Sequence, residues 1–141
     1  MLGNEKVIRE LYAAAEGRGL DTEKLVSIFS DEGYMLDVPS STKFRGRAIG
    51  DSIAGLAKAF PDVHRELRSF CVAENFVVVE LAIQGTHKGE LTLASGAVPP
   101  TGKTIDVPCC DVFHFDGGKV TSFHCYNYPS LMLQQLGVDV G

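Results

Sequence analysis

The chain of 141 residues carries 13 Lys and Arg against 18 Asp and Glu, a net charge of −5 with His neutral, and is 45% hydrophobic. That length predicts one domain, residues 1–141, with a core of ordinary size. No basic run supports nucleic acid as a partner, no apolar stretch approaches the roughly 20 residues of a membrane span, and Glu5, Lys6, Arg9 and Glu10 interrupt any leader-like segment, so a cytoplasmic location is expected.

Residues 5–17 predict a first helix, with Val7, Ile8, Leu11, Tyr12 and Ala15 on one face at helical spacing. Gly17 and Gly19 end it, and Asp21 or Thr22 caps a second helix running to about Ser30. Gly33–Val38 is a short strand closed by Pro39-Ser40-Ser41, and a third helix runs from about Ala48 to Phe60, stopped by Pro61. The period then falls from 3.6 to 2. His64–Val72 and Phe76–Lys88 are strands, Leu93–Lys103 is a long loop, and Ile105–Phe115 and Lys119–Tyr128 form a hairpin around Asp116-Gly117-Gly118. A short helix at Ser130–Leu136 closes at Gly137. Helices first and long antiparallel strands after them predict an α+β fold, a curved, mostly antiparallel sheet packed on three N-terminal helices around an apolar pocket.

Strand alternation selects the polar residues that face inward. Ile105, Val107, Cys109, Asp111, Phe113 and Phe115 share one face, so Asp111 is a single carboxyl group in an apolar row. Burial disfavours its charged form, and a carboxylic acid kept neutral can donate to a developing oxyanion; the alternative is a structural Asp bonded to backbone or an Arg. His87 ends the Phe76–Lys88 strand beside the apolar row, where its titration range suits proton transfer, or it is a satisfied strand-end histidine. Asp37 ends its own strand before Val38-Pro39, as a general base opening into the pocket or as a turn-forming Asp. Phe123, Cys125 and Asn127 share a face of the last strand, and with Phe113 and Tyr12 they are expected to line the pocket.

The four cysteines form no Cys-x-x-Cys pair and are expected to be reduced thiols, mostly buried. A zinc site from His124, Cys125 and either His87 or His114 is a minor alternative, and the leading expectation is no metal.

Several segments in order carry a resemblance: Leu25-Val26-Ser27-Ile28-Phe29-Ser30-Asp31, Phe44-Arg45-Gly46-Arg47, Gly85-Thr86-His87-Lys88-Gly89-Glu90, Pro99-Pro100-Thr101-Gly102-Lys103, Asp111-Val112-Phe113-His114-Phe115-Asp116-Gly117-Gly118-Lys119 and Leu133-Gln134-Gln135-Leu136-Gly137. Over nearly its whole length the chain resembles SnoaL-like proteins of the nuclear-transport-factor-2-like superfamily. The resemblance implies a conical α+β barrel with a deep apolar pocket, commonly dimeric through the outer sheet face. The acid of SnoaL-like polyketide cyclases falls on Cys125, and the aspartate of limonene-epoxide-hydrolase-like enzymes is missing as well. Counting from Asp-Gly-Gly-Lys, Asp111 matches the protonated acid of ketosteroid-isomerase-like proteins, and Asp37 matches their general base. Their tyrosine falls on Leu11, with Tyr12 one residue off the required face.

The expectation is therefore an acid/base enzyme that uses no cofactor and acts on a small apolar or aromatic carbonyl compound through an enolate-type intermediate. Its catalytic residues would be Asp37, Asp111 and His87, and it would form a homodimer. The alternatives are a non-catalytic ligand-binding or dimerisation module with the same pocket, and an enzyme built on Cys125 or a metal.

Overall fold

The structure, a computed structural model, describes residues 2–93 and 96–138. Helix α1 (Leu2–Ala15) buries Ile8, Leu11, Tyr12 and Ala15, an i, i+3, i+4, i+7 stripe that can face only one way. A one-turn 3-10 helix at Gly17–Gly19 leads to α2 (Thr22–Ser27), whose first turn is capped by the Asp21 carboxylate accepting from Lys24 N at 3.1 Å. Helix α2 is shorter than its apolar pattern predicts. Phe29 instead opens strand β1 (Phe29–Asp37), because Ile28 O accepts from Val120 N and so draws the chain into the sheet.

Strand β2 (Thr42–Arg45) follows in a stretch to which the sequence pattern assigns no element, and pairs antiparallel with β1. Helix α3 (Arg47–Ala59) matches its predicted span within a residue at each end. The long strands β3 (His64–Val72), β4 (Phe76–Thr86), β7 (Thr104–Asp116) and β8 (Lys119–Tyr126) lie where the period of 2 places them. Gly117 and Gly118 both have positive φ in the β7–β8 turn, a conformation that glycine adopts without strain. The predicted Leu93–Lys103 loop contains parts of a small hairpin, β5 (Leu91–Leu93) with β6 (Gly96–Val98), and Pro129–Gln135 forms α4.

The main sheet has the order β2-β1-β8-β7-β4-β3. It is mixed and not closed, which corrects the barrel and adds a parallel contact to the antiparallel set: β1 runs parallel to β8. That pairing shifts register between Phe29 and Tyr34, where a Cβ on Gly33 would meet Val120 O at 2.7 Å. The helices cover the inner face, and two buried clusters hold the layers together. One surrounds Ile8, Leu25, Ile49 and Phe113; the other surrounds Phe60, Val63, Ile105 and Leu136. Among the described residues no helix is long and apolar enough to cross a membrane.

Candidate active site

Pairing across the sheet lines up residues from four strands. Val79 of β4 stands opposite Asp111 of β7, Asp111 opposite Cys125 of β8, and Cys125 opposite Asp37 of β1. Side chains in register point to the same face, so two carboxyl groups flank a thiol in one row. Asp37, Cys125 and Asp111 all line a cavity of about 270 Å³ between the inner face and the helices. That volume lies near the lower end of the usual small-ligand range of roughly 300–1,000 Å³. Leu11, Met35, Phe44, Ile53, Ile83, Val107 and Phe123 supply apolar wall, and Arg65 is the one cationic side chain lining it among the described residues.

Asp111 is 2% exposed. Its Oδ2 accepts from the Tyr12 hydroxyl at 2.7 Å, and its Oδ1 lies 3.3 Å from Cys109 Sγ. Burial pushes the Asp111 carboxyl above the usual carboxylate range; the donors Tyr12, Cys109 and Cys125 and the positive charge of Arg65 oppose that shift. The Tyr12 hydroxyl is itself pushed up, first by burial and then by Asp111, so it remains a neutral donor. Tyr12 therefore reaches Asp111, although the resemblance puts the family's tyrosine at its neighbour Leu11. One helical step moves a Cβ by 100°, but the long phenol spans that offset while its ring packs edge-on to Phe113.

Asp37 is half-buried at the end of β1. Asn127 Nδ2 donates to its Oδ1 at 2.6 Å, and the Ser40 hydroxyl donates to Oδ2. Asn127 also lies 3.4 Å from Cys125 Sγ, so one amide ties the carboxylate to the thiol. Asp37 thus meets the turn through the Ser40 hydroxyl, while its carboxylate lines the cavity.

Cys109 and Cys125 approach to 3.8 Å between sulfurs. The Cys109 thiol is pushed up, first by its hydrogen bond with Cys125 and then by burial, which makes it a poor nucleophile. Cys109, Asp111 and Cys125 place three donor atoms within 4.8 Å of one another, the one group of that kind among the described residues. The zinc combination weighed from sequence does not assemble. His124 bonds Tyr34 at 3.0 Å and His114 lies 3.3 Å from Ser122, side chains outside the cavity lining.

His87 is also absent from the cavity lining. It is fully buried, its Nδ1 accepts from Thr101 N at 3.1 Å, and its ring lies 5.3 Å from that of Phe60 in the second buried cluster. The strand predicted to run through Lys88 ends at Thr86, so alternation no longer governs where residue 87 points. Phe113, fully buried, stands behind the wall with its ring 4.4 Å from that of Phe123, whereas Tyr12, Phe123, Cys125 and Asn127 line the cavity as expected. Arg65 was not singled out from sequence. The alternation of β3, which places it on the face of Leu67, is the pattern that marks it.

A family model described as a SnoaL-like domain matches residues 8–123. No curated protein matches the chain in sequence. Among solved structures it is similar to AclR of Streptomyces galilaeus, a candidate hydroxylase, with 23% identity over 97% of each chain and a TM-score of 0.80. IdmH of Streptomyces antibioticus, a candidate polyketide cyclase, gives 20% identity, TM-score 0.78, over 96% of this chain and 99% of that one. A hypothetical protein with a ketosteroid isomerase-like fold from Catenulispora acidiphila, in complex with trimethylamine, gives 24% identity, TM-score 0.74, over 94% and 93%. At these identities the likeness is one of fold.

Proposed function

The chain belongs to the SnoaL-like domain family, and from that premise we propose that it is an acid/base enzyme, using no cofactor, that forms an enolate-type intermediate from a small apolar or aromatic carbonyl compound. The observation that carries this reading is the single row in which Asp37 and Asp111 line the same cavity. Asp37 takes the proton alpha to the carbonyl, with Asn127 and Ser40 holding its carboxylate in place. Asp111, kept neutral by burial, donates to the oxygen as negative charge develops there, and Tyr12 supports it from behind. Isomerisation, elimination and cyclisation all begin with this step. The likeness in fold to candidate polyketide cyclases is compatible with each of them. The test is proton exchange at the alpha carbon of α-tetralone and related aryl ketones in deuterated buffer, followed by NMR. Exchange that depends on both Asp37 and Asp111 supports the reading, and its absence across the panel sinks it.

A second reading is favoured by the hydrogen bonds themselves. Both oxygens of Asp37 and both of Asp111 already have a protein partner, as suits a static polar floor that binds a ligand without transforming it. Ketone binding without exchange would support that module.

We also propose the homodimer, through the outer sheet face. Phe76 and Tyr126 are 37% and 49% exposed there, on either side of β7. Sedimentation equilibrium should give twice the chain mass, and Tyr126→Glu should shift it toward the monomer; a monomeric wild type refutes the dimer.

A further inference from the structure

The polar groups along the cavity follow the strand order. Asp37 is on β1, Asp111 two strands on at β7, and Arg65 two strands further at β3, opposite Ile83 and so in the row of Val107 rather than that of Asp111. At roughly 4.8 Å per strand, each step is about 10 Å across the sheet, and the second also moves about 13 Å along the strands. The cavity therefore has a direction: the Asp37 carboxyl group on the β1 side, the buried Asp111 carboxyl group between, and the Arg65 guanidinium on the β3 side.

Arg65 is half-buried and forms no ion pair among the described residues; their salt bridges involve Arg9, Lys24, His64 and Arg68. Its Nη1 donates to Ala15 O, the last residue of α1, at 3.0 Å. That bond completes the helix end and fixes the guanidinium. One N–H is thereby used of the five an arginine carries, so donors remain for a second, planar acceptor. The charge is close enough to oppose the upward shift of Asp111, yet Asp111 is buried and its oxygens are held by Tyr12 and Cys109. A half-buried cation without an ion-pair partner, in a mostly apolar wall that includes Ile83 and Val107, leaves a place for a negative charge on the ligand.

We propose that Arg65 anchors a carboxylate on the substrate, so that this protein acts on carbonyl compounds bearing an acid group on the side away from the labile C–H. This rests on the enolate reading for the order of groups, with the alpha carbon at Asp37 and the oxygen at Asp111, but the anion site itself is a matter of binding. Planar guanidinium and planar carboxylate make two parallel hydrogen bonds, which selects a carboxylate over a bulkier phosphate in so small a cavity.

The test compares 4-acetylbenzoate, whose acid lies across the carbonyl from its labile methyl hydrogens, with its methyl ester by calorimetry on the full chain. Wild type should bind the acid at least about tenfold more tightly, and Arg65→Gln should bring the two affinities together. Arg65→Lys, which keeps the charge and loses the fork, should retain part of the preference. Equal binding by wild type, or a preference that survives Arg65→Gln, overturns the proposal, and the wild-type comparison decides even if Arg65→Gln fails to fold. Acid preference without alpha-proton exchange would overturn the enolate reading and leave the anion site standing. Exchange without acid preference would do the reverse.

Discussion

Asp37 and Asp111 stand two strands apart in one row of the sheet, with Cys125 between them and both carboxyl groups lining the same cavity. One is half-buried and held by an amide and a hydroxyl; the other is fully buried with a phenol and a thiol. On the proposed enolate chemistry, these two like groups in unlike surroundings divide into base and acid. Asp37→Asn should therefore lower alpha-proton exchange by about 10²–10⁴-fold, the usual worth of a general base. Asp111→Asn should lower it by about 10²–10³-fold, as loss of an oxyanion donor does. Rates measured by NMR with matched ketone concentrations check both.

Stability should depend on pH through Asp111. Burial raises its folded pKa above the unfolded value, so the folded state keeps a proton that the unfolded state has lost. Such a group supports folding at low pH, and its contribution is lost as pH rises from the unfolded toward the folded pKa. The neutral Asp111→Asn lacks this dependence. Relative to that variant, wild type should lose stability from about pH 4 upward, with a slope approaching ~1.4 kcal/mol per pH unit at its steepest. Paired denaturant titrations across pH provide the measurement, and a flat difference would show that Asp111 ionises as readily folded as unfolded.

Removing the Tyr12 hydroxyl separates support from chemistry. Tyr12→Phe deletes the 2.7 Å bond to Asp111 and leaves a buried acceptor short of one donor, which should cost about 1–3 kcal/mol in denaturant unfolding. Exchange should fall less than for Asp111→Asn, because the acid itself remains. An equal loss would make Tyr12 a direct donor to substrate.

Cys125 stands between the two carboxyl groups in the row, and its role is best tested by deletion. Cys125→Ala removes the sulfur that Asn127 and Cys109 approach but leaves both carboxyl groups in place. Exchange should stay within a few-fold of wild type. A loss as large as that of Asp37→Asn would move the chemistry to the thiol.

How far the site was legible depended on how regular the chain was at each residue. Asp111 lies inside thirteen residues of unbroken strand whose burial alternates, so its inward direction follows from counting. His87 lies just beyond a strand end, where the backbone turns and its imidazole is captured by Thr101 and Phe60. The end of α2 was misjudged because Ile28 and Phe29 continue the helical apolar pattern, and only a partner more than ninety residues away, Val120, shows that they join the sheet. Arg65 obeys the same alternation that exposed Asp111. A charged residue on the inner face of a strand warranted equal notice whichever its sign.

The parallel contact between β1 and β8 also governs when this site can exist. On its other side β1 has only β2, and nothing beyond β2 joins that pair to the sheet. The bond from Asn127 to Asp37 spans 90 residues. While the chain is being synthesised, the β1–β2 hairpin must therefore wait, unpaired with the rest of the sheet, until Lys119–Tyr126 has left the ribosome. Asp37 is made early, but it stands in line with Asp111 only once β8 has been made between them.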